Sequence, residues 1–172
     1  MMKSRYKNLL KSVVLVIAIL TIISPGTRAA AEDKEPGDEG RHLVGTWMVQ
    51  VTREDCQTHV PVGPPFLSLL TYNPGGTMTD TTSNPQFGQS VRGPGHGVWI
   101  HTNHHSFKVL SAAFVTMNGT LVSTQFLTQA IDVTTPHDYV VPAASIQFVA
   151  PDGTILSTGC ATAVGKRLEA EE

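Results

Sequence analysis

Hydrophobic and polar residues alternate with a period of two along most of the chain from residue 44 onward. In 44–53, Trp47, Val49 and Val51 share one face, and Met48, Gln50 and Thr52 share the other. That period puts successive side chains on opposite sides of a β-strand. It predicts strands at 44–53, 66–72, 77–83, 96–101, 106–115, 120–133, 139–149 and 154–164. These runs are rich in Val, Ile, Thr and Phe, which suit a pleated surface. No helical stripe of useful length interrupts the stretch from 96 to 164.

The connections support the same pattern. Asn118-Gly119 and Asp152-Gly153 are pairs that tolerate positive φ at both positions, as a two-residue hairpin turn requires. Residues 73–76 (Asn-Pro-Gly-Gly) form a turn by composition. The 56–65 segment is a loop containing Pro61, Pro64 and Pro65. The longest irregular stretch, 84–95, is either a lid or rim loop or an ordinary surface connection. Pro142 marks an edge or a bulge in its strand. With Asn118-Gly119 as the turn, Val115 is expected opposite Val122, Ala113 opposite Thr124, Ser111 opposite Phe126 and Lys108 opposite Gln129. With Asp152-Gly153 as the turn, Phe148 faces Ser157, Ile146 faces Gly159 and Gln147 faces Thr158. A single bulge would shift either register.

Eight antiparallel strands with short turns make the fold class all-β, an eight-stranded antiparallel up-and-down barrel. A barrel of that size is just wide enough to be packed shut or to hold one small ligand.

The N-terminal segment changes the charge picture. A basic start, an apolar run over 12–23, Pro25-Gly26, and the small residues Ala29 and Ala31 form a secretory signal peptide over 1–31. The apolar run is short of the roughly 20 residues a membrane span needs. The expected organisation is a signal peptide (1–31), a disordered acidic leader (32–41), a barrel domain (42–168) and an acidic tail (169–172). The protein is then exported, periplasmic or extracellular, with no membrane insertion after cleavage. The full chain has net charge −2, but five of its twelve basic residues lie in 1–31 and all fourteen acids lie beyond. The mature chain is therefore acidic, which excludes the basic footprint of nucleic-acid binding and docking on anionic lipid. Between Cys56 and Gly165 the only charges are Asp80, Arg92, Lys108, Asp132, Asp138 and Asp152. The outer surface must then be Thr, Ser and Gln, or be covered, which leaves a homo-oligomer open.

Two cysteines, Cys56 and Cys160, in an exported chain favour a disulfide over two separate thiols. If the barrel closes with residue 45 near 167, Cys56 falls opposite Leu156. Cys160 is then four residues away, so the bond needs the 56–65 loop to fold back over the wall.

Candidate chemistry is sparse. Asp80 is the only acid within the first five strands, and on an interior face it can serve as a general base or as the polar anchor of a ligand. Trp99, His101, Phe126 and Phe148 are further candidates to line an interior, Trp99 being equally at home in the core. His96, His101, His104 and His105 cluster at one hairpin, but no third ligand is set by spacing, so no metal site is assigned. No nucleophile elbow, phosphate loop, dinucleotide fingerprint or metalloprotease motif occurs, and nothing calls for a cofactor.

Gly45-Thr46-Trp47 opens the first strand, His137-Asp138-Tyr139 lies between the sixth and seventh, and Arg167 follows the eighth. In these three places the chain resembles the lipocalins and the wider calycin group, with His137 standing where that family carries threonine. The resemblance implies that Gly45, Trp47 and Arg167 are structural, with the guanidinium stacked on the indole across the barrel floor. Allene-oxide-cyclase-like and dirigent-like barrels, and exported bacterial proteins of this size, look similar in strand count. Three functions remain open: a barrel binding a small, largely apolar ligand; a structural or envelope-associated barrel with a packed core; and a cyclase or isomerase working inside the barrel. A packed interior would remove the first and third. A cavity containing Asp80 would favour the third over the first.

Overall fold

The computed structural model describes residues 38–170. The expected signal peptide, most of the acidic leader and the last two residues of the tail lie outside them. Asp38–His42 is a short 3-10 helix that leads into the barrel. The strands that follow are β1 (Gly45–Glu54), β2 (Phe66–Asn73), β3 (Thr77–Thr82), β4 (Val91–Arg92), β5 (Gly95–Asn103), β6 (Ser106–Met117), β7 (Thr120–Thr135), β8 (Asp138–Val149) and β9 (Ile155–Arg167).

Eight of these strands form a closed antiparallel barrel, because β1 pairs with β9 as well as with β2, and β6 pairs with β7. β4 is not a ninth stave. Its two residues pair with Val115 and Thr116 of β6, on the line that β5 follows further along the same strand. Gly93 bridges the gap by donating its N–H to the Phe114 carbonyl. The expected 84–95 loop is therefore partly a broken extension of β5. Pro94 cannot donate to the ladder, which explains the break.

The register of the last hairpin matches expectation: Phe148 pairs with Ser157, Gln147 with Thr158 and Ile146 with Gly159. The β6–β7 hairpin does not. It starts as expected, with Met117 opposite Thr120, but a bulge follows between Val115 and Thr116. Beyond it Val115 faces Ser123, Ala113 faces Gln125, Ser111 faces Leu127 and Val109 faces Gln129. One extra residue in β7 reverses the faces of everything after it. Gln125 and Gln129 turn inward and are buried, whereas Phe126 turns outward and is 38% exposed.

The interior has two parts. At the end where β1 begins and β9 finishes, Leu43, Trp47, Tyr72, Tyr139, Phe107 and Ile131 pack into a core with under 2% exposure each. Arg167 lies over the Trp47 ring at 4.2 Å. Its Nε donates to the Pro136 carbonyl (2.7 Å), Nη1 to Val44 (2.5 Å) and Nη2 to His42 (2.6 Å). Trp47 Nε1 donates to the Leu43 carbonyl (2.9 Å). The stack expected of Trp47 and Arg167 is thus in place, and it ties the start of β1 to the end of β9 across the floor. Gly45 is needed there because it has φ +137 and a Cβ would collide with the Arg167 guanidinium. Toward the other end the barrel is hollow.

The hollow end carries the disulfide. Glu54, not Cys56, is the residue near the end of β1 that faces β9, and its partner is Cys160. The chain then turns back, with Val62 N–H donating to the Arg53 carbonyl (2.8 Å) and Asp55 N–H to Val60 (3.0 Å). That reversal brings Cys56 to a Cα–Cα distance of 5.2 Å from Cys160, and the two are bonded.

Candidate functional site

A cavity of about 680 Å³ occupies the hollow end of the barrel. Its apolar lining includes Val49 and Val51 from β1, Leu70 from β2, Leu127 from β7, and Val141 and Ile146 from β8. The pleat puts these residues inside, and the irregularity between Val141 and Ala144 switches the inward positions of β8 from odd to even numbers. Around the opening stand Arg53, Glu54 and Asp55 at the end of β1, and Phe87 from the 3-10 turn Pro85–Phe87. Phe87 packs edge to face on Phe148, with ring centroids 6.2 Å apart. The irregular stretch after β3 is thus a rim.

Polar side chains, Ser68, Thr82, Ser157 and Thr162 among them, share the lining, and two buried polar places stand out. The first is an ion pair, Arg92 Nη2 to Asp80 Oδ1 at 2.6 Å, with side-chain exposures of 4% and 5%. Arg92 also donates through Nε to Gln125 Oε1 (2.5 Å) and through Nη1 to the Gly93 carbonyl (3.2 Å). Ser111 donates its hydroxyl to Asp80 Oδ2 (3.2 Å). The cluster is possible because residue 95 is glycine: a Cβ there would overlap the Asp80 carboxylate. Both charges are therefore paired and further hydrogen-bonded, the condition for holding them out of water. The second polar place is Gln129, four residues from Gln125 on β7 and next to the packed core. It lines the cavity and is 5% exposed.

Below the cavity, in the core, the hydroxyls of Tyr72 and Tyr139 are buried without a hydrogen-bond partner. Burial, then the proximity of Tyr139, pushes the Tyr72 phenol well above its ordinary range. Burial does the same to Tyr139. Both phenols stay protonated at physiological pH.

Of the residues singled out from sequence, Asp80 and Phe148 line the cavity. Trp99 does not. It is core, packed edge to face on Phe107 at 5.7 Å, with Nε1 donating to the carbonyls of Asn73 and Thr77. His101 sits near the opposite end, against Phe107 at 5.2 Å and within 2.7 Å of the His104 carbonyl. Phe126 is on the outer face, for the parity reason given above. Cys56 and Cys160 border the cavity.

Arg92, Gln125 and Gln129 were not foreseen. For Arg92 a signal existed: over 56–107 it is the only Lys or Arg, and Asp80 is the only acid. For the glutamines none existed, because their inward orientation depends on the bulge.

No family model and no curated protein matches the chain. Among solved structures the chain is similar to an S-type phycobiliprotein lyase, CPES, from Guillardia theta. The identity is 9% and the TM-score 0.39, over 76% of this chain and 91% of that one.

Proposed function

We propose that this barrel binds a small, largely apolar ligand inside its hollow end, and that it does so as an exported protein. The observation that carries the reading is the cavity itself: about 680 Å³, lined by apolar and polar side chains in similar measure. That volume is that of small-molecule sites, which span roughly 300–1,000 Å³. A barrel packed along its whole length is not supported, because only the Trp47 end is filled.

Asp80 does stand in the cavity, the condition set for favouring a cyclase or isomerase. Its surroundings reverse that preference. One oxygen is committed to Arg92 and the other to Ser111. A general base needs a lone pair within reach of the substrate proton, and here the best-placed lone pairs are spent on fixing the wall. The cluster serves better as a rigid polar landmark.

Export is supported by the signal-like segment over 1–31 and by the disulfide, which persists in oxidising compartments. Mass spectrometry of protein recovered from the exporting host should find Glu32 at the N-terminus. Binding is tested with N-phenyl-1-naphthylamine, whose fluorescence rises in apolar surroundings. Saturable binding at one per chain is expected, abolished in Ala144→Trp, which places an indole into the cavity. Absence of saturable binding to the folded wild-type protein would remove the proposal.

A further inference from the structure

We infer that the ligand carries a carboxylate on its apolar body, and that Arg53 at the mouth of the cavity is the residue that receives it. This rests on the ligand-binding reading and deepens it.

Arg53 is in phase with Trp47, Val49 and Val51 on β1, and like the two valines it lines the cavity. Trp47 lies in the packed core, so the inward face of β1 runs from there past Val49 and Val51 to Arg53 at the opening. The Nε of Arg53 is buried without a hydrogen-bond partner. Among the described residues its side chain enters no hydrogen bond and no ion pair. The backbone reversal after β1 brings Gly63 beside the guanidinium. A Cβ there would lie 2.7 Å from Nη2, so the glycine leaves that nitrogen clear.

The carboxylates around it are engaged elsewhere. Glu54 accepts from the Thr162 hydroxyl (2.8 Å) and stands 3.7 Å from His59 Nδ1. Asp55 Oδ1 accepts from the backbone N–H groups of Gln57 (3.0 Å) and Thr58 (2.8 Å). Of the two arginines that line the cavity, Arg92 is paired with Asp80 at 2.6 Å and Arg53 has no acid.

A cation with one donor sealed off and no acceptor on the others is costly, and an acceptor that arrives with the ligand accounts for it. The guanidinium charge is spread over a planar group, whose parallel N–H donors fit the two oxygens of a carboxylate. One cation with Glu54 and Asp55 beside it balances a single negative charge better than the nearly double charge of a phosphate monoester. An ammonium head would meet Arg53 as a like charge. With the carboxylate at Arg53, the apolar body lies inward along Val51 and Val49.

The test uses decyl probes that differ in the head: decanoate, decanamide, decylammonium and decyl phosphate. Each displaces N-phenyl-1-naphthylamine from the wild-type protein and from Arg53→Gln at pH 7.4. Decanoate is expected to bind wild type at least tenfold tighter than decanamide, the usual worth of hydrogen bonds to a charged group, and tighter than the other two. In Arg53→Gln the ratio of decanoate to decanamide affinity should fall about tenfold. That ratio is taken on one protein at a time, so partial unfolding of the variant does not imitate the result, and the wild-type ranking needs no variant. Any other probe binding wild type as tightly as decanoate, or a ratio unchanged in Arg53→Gln, would overturn the inference and leave the binding reading standing. Failure of the fluorophore and all four probes to bind would overturn both.

Discussion

Removing the Arg92 guanidinium is the sharpest test of the interior described here. In Arg92→Met the side chain keeps most of its length, and Asp80 keeps its place against Gly95. Asp80 is then a carboxylate at 5% exposure with only the Ser111 hydroxyl, at 3.2 Å, still bonded to it. Leaving one member of a buried pair uncompensated typically costs about 3–5 kcal/mol. For a domain of this size that corresponds to a fall in Tm of about 10–20 °C. Asp80→Asn should cost a comparable amount, because it strands the cation instead. The double variant Arg92→Met/Asp80→Asn removes both charges and keeps the shape, so it should recover to within about 1–2 kcal/mol of wild type. The assay is urea unfolding followed by near-ultraviolet circular dichroism, with the disulfide intact in every sample. Single losses below about 1 kcal/mol, or singles that add in the double variant, would refute the reasoning, because pairs that water reaches behave that way.

Four further outcomes follow from the same geometry. Trp47→Ala should cost about 3–5 kcal/mol and Arg167→Ala less, and a double-mutant cycle should give non-additive losses because guanidinium and indole are stacked. Thiol counting on unfolded, unreduced protein should find no free cysteine, and replacing both cysteines by serine should cost about 4–5 kcal/mol in the chain-entropy model, since the bond spans 104 residues. Tyr72 and Tyr139 have raised folded pKa values, so their contribution is complete below the unfolded tyrosine value of about 10 and is lost as pH rises above it. Urea midpoints should therefore fall from about pH 10 upward, and fall less in Tyr72→Phe/Tyr139→Phe. Phe148→Ala should weaken N-phenyl-1-naphthylamine binding and Phe126→Ala should not, and the opposite result would place the β7 bulge wrongly.

What the sequence determined on its own was whatever depends on local chemistry. Alternation over 44–53 and 106–115, and the turn pairs Asn118-Gly119 and Asp152-Gly153, set where strands run and reverse, because side-chain period and positive φ are properties of a few adjacent residues. Trp47 and Arg167 were legible as partners because a closed barrel makes its first and last strands neighbours whatever lies between them. The pairing of Cys56 with Cys160 was also legible, since two cysteines allow one bond, although the backbone reversal at Asp55 that permits it was not. The interior was decided only by the tertiary structure. A single bulge after Thr116 exchanged the faces of β7, putting Phe126 into solvent and Gln125 and Gln129 into the cavity. A two-residue strand beyond Pro94 carried Arg92 out of an apparent loop and onto Asp80. Composition does not encode either event, because parity along a strand is cumulative: one inserted residue changes no local preference and reverses every orientation that follows.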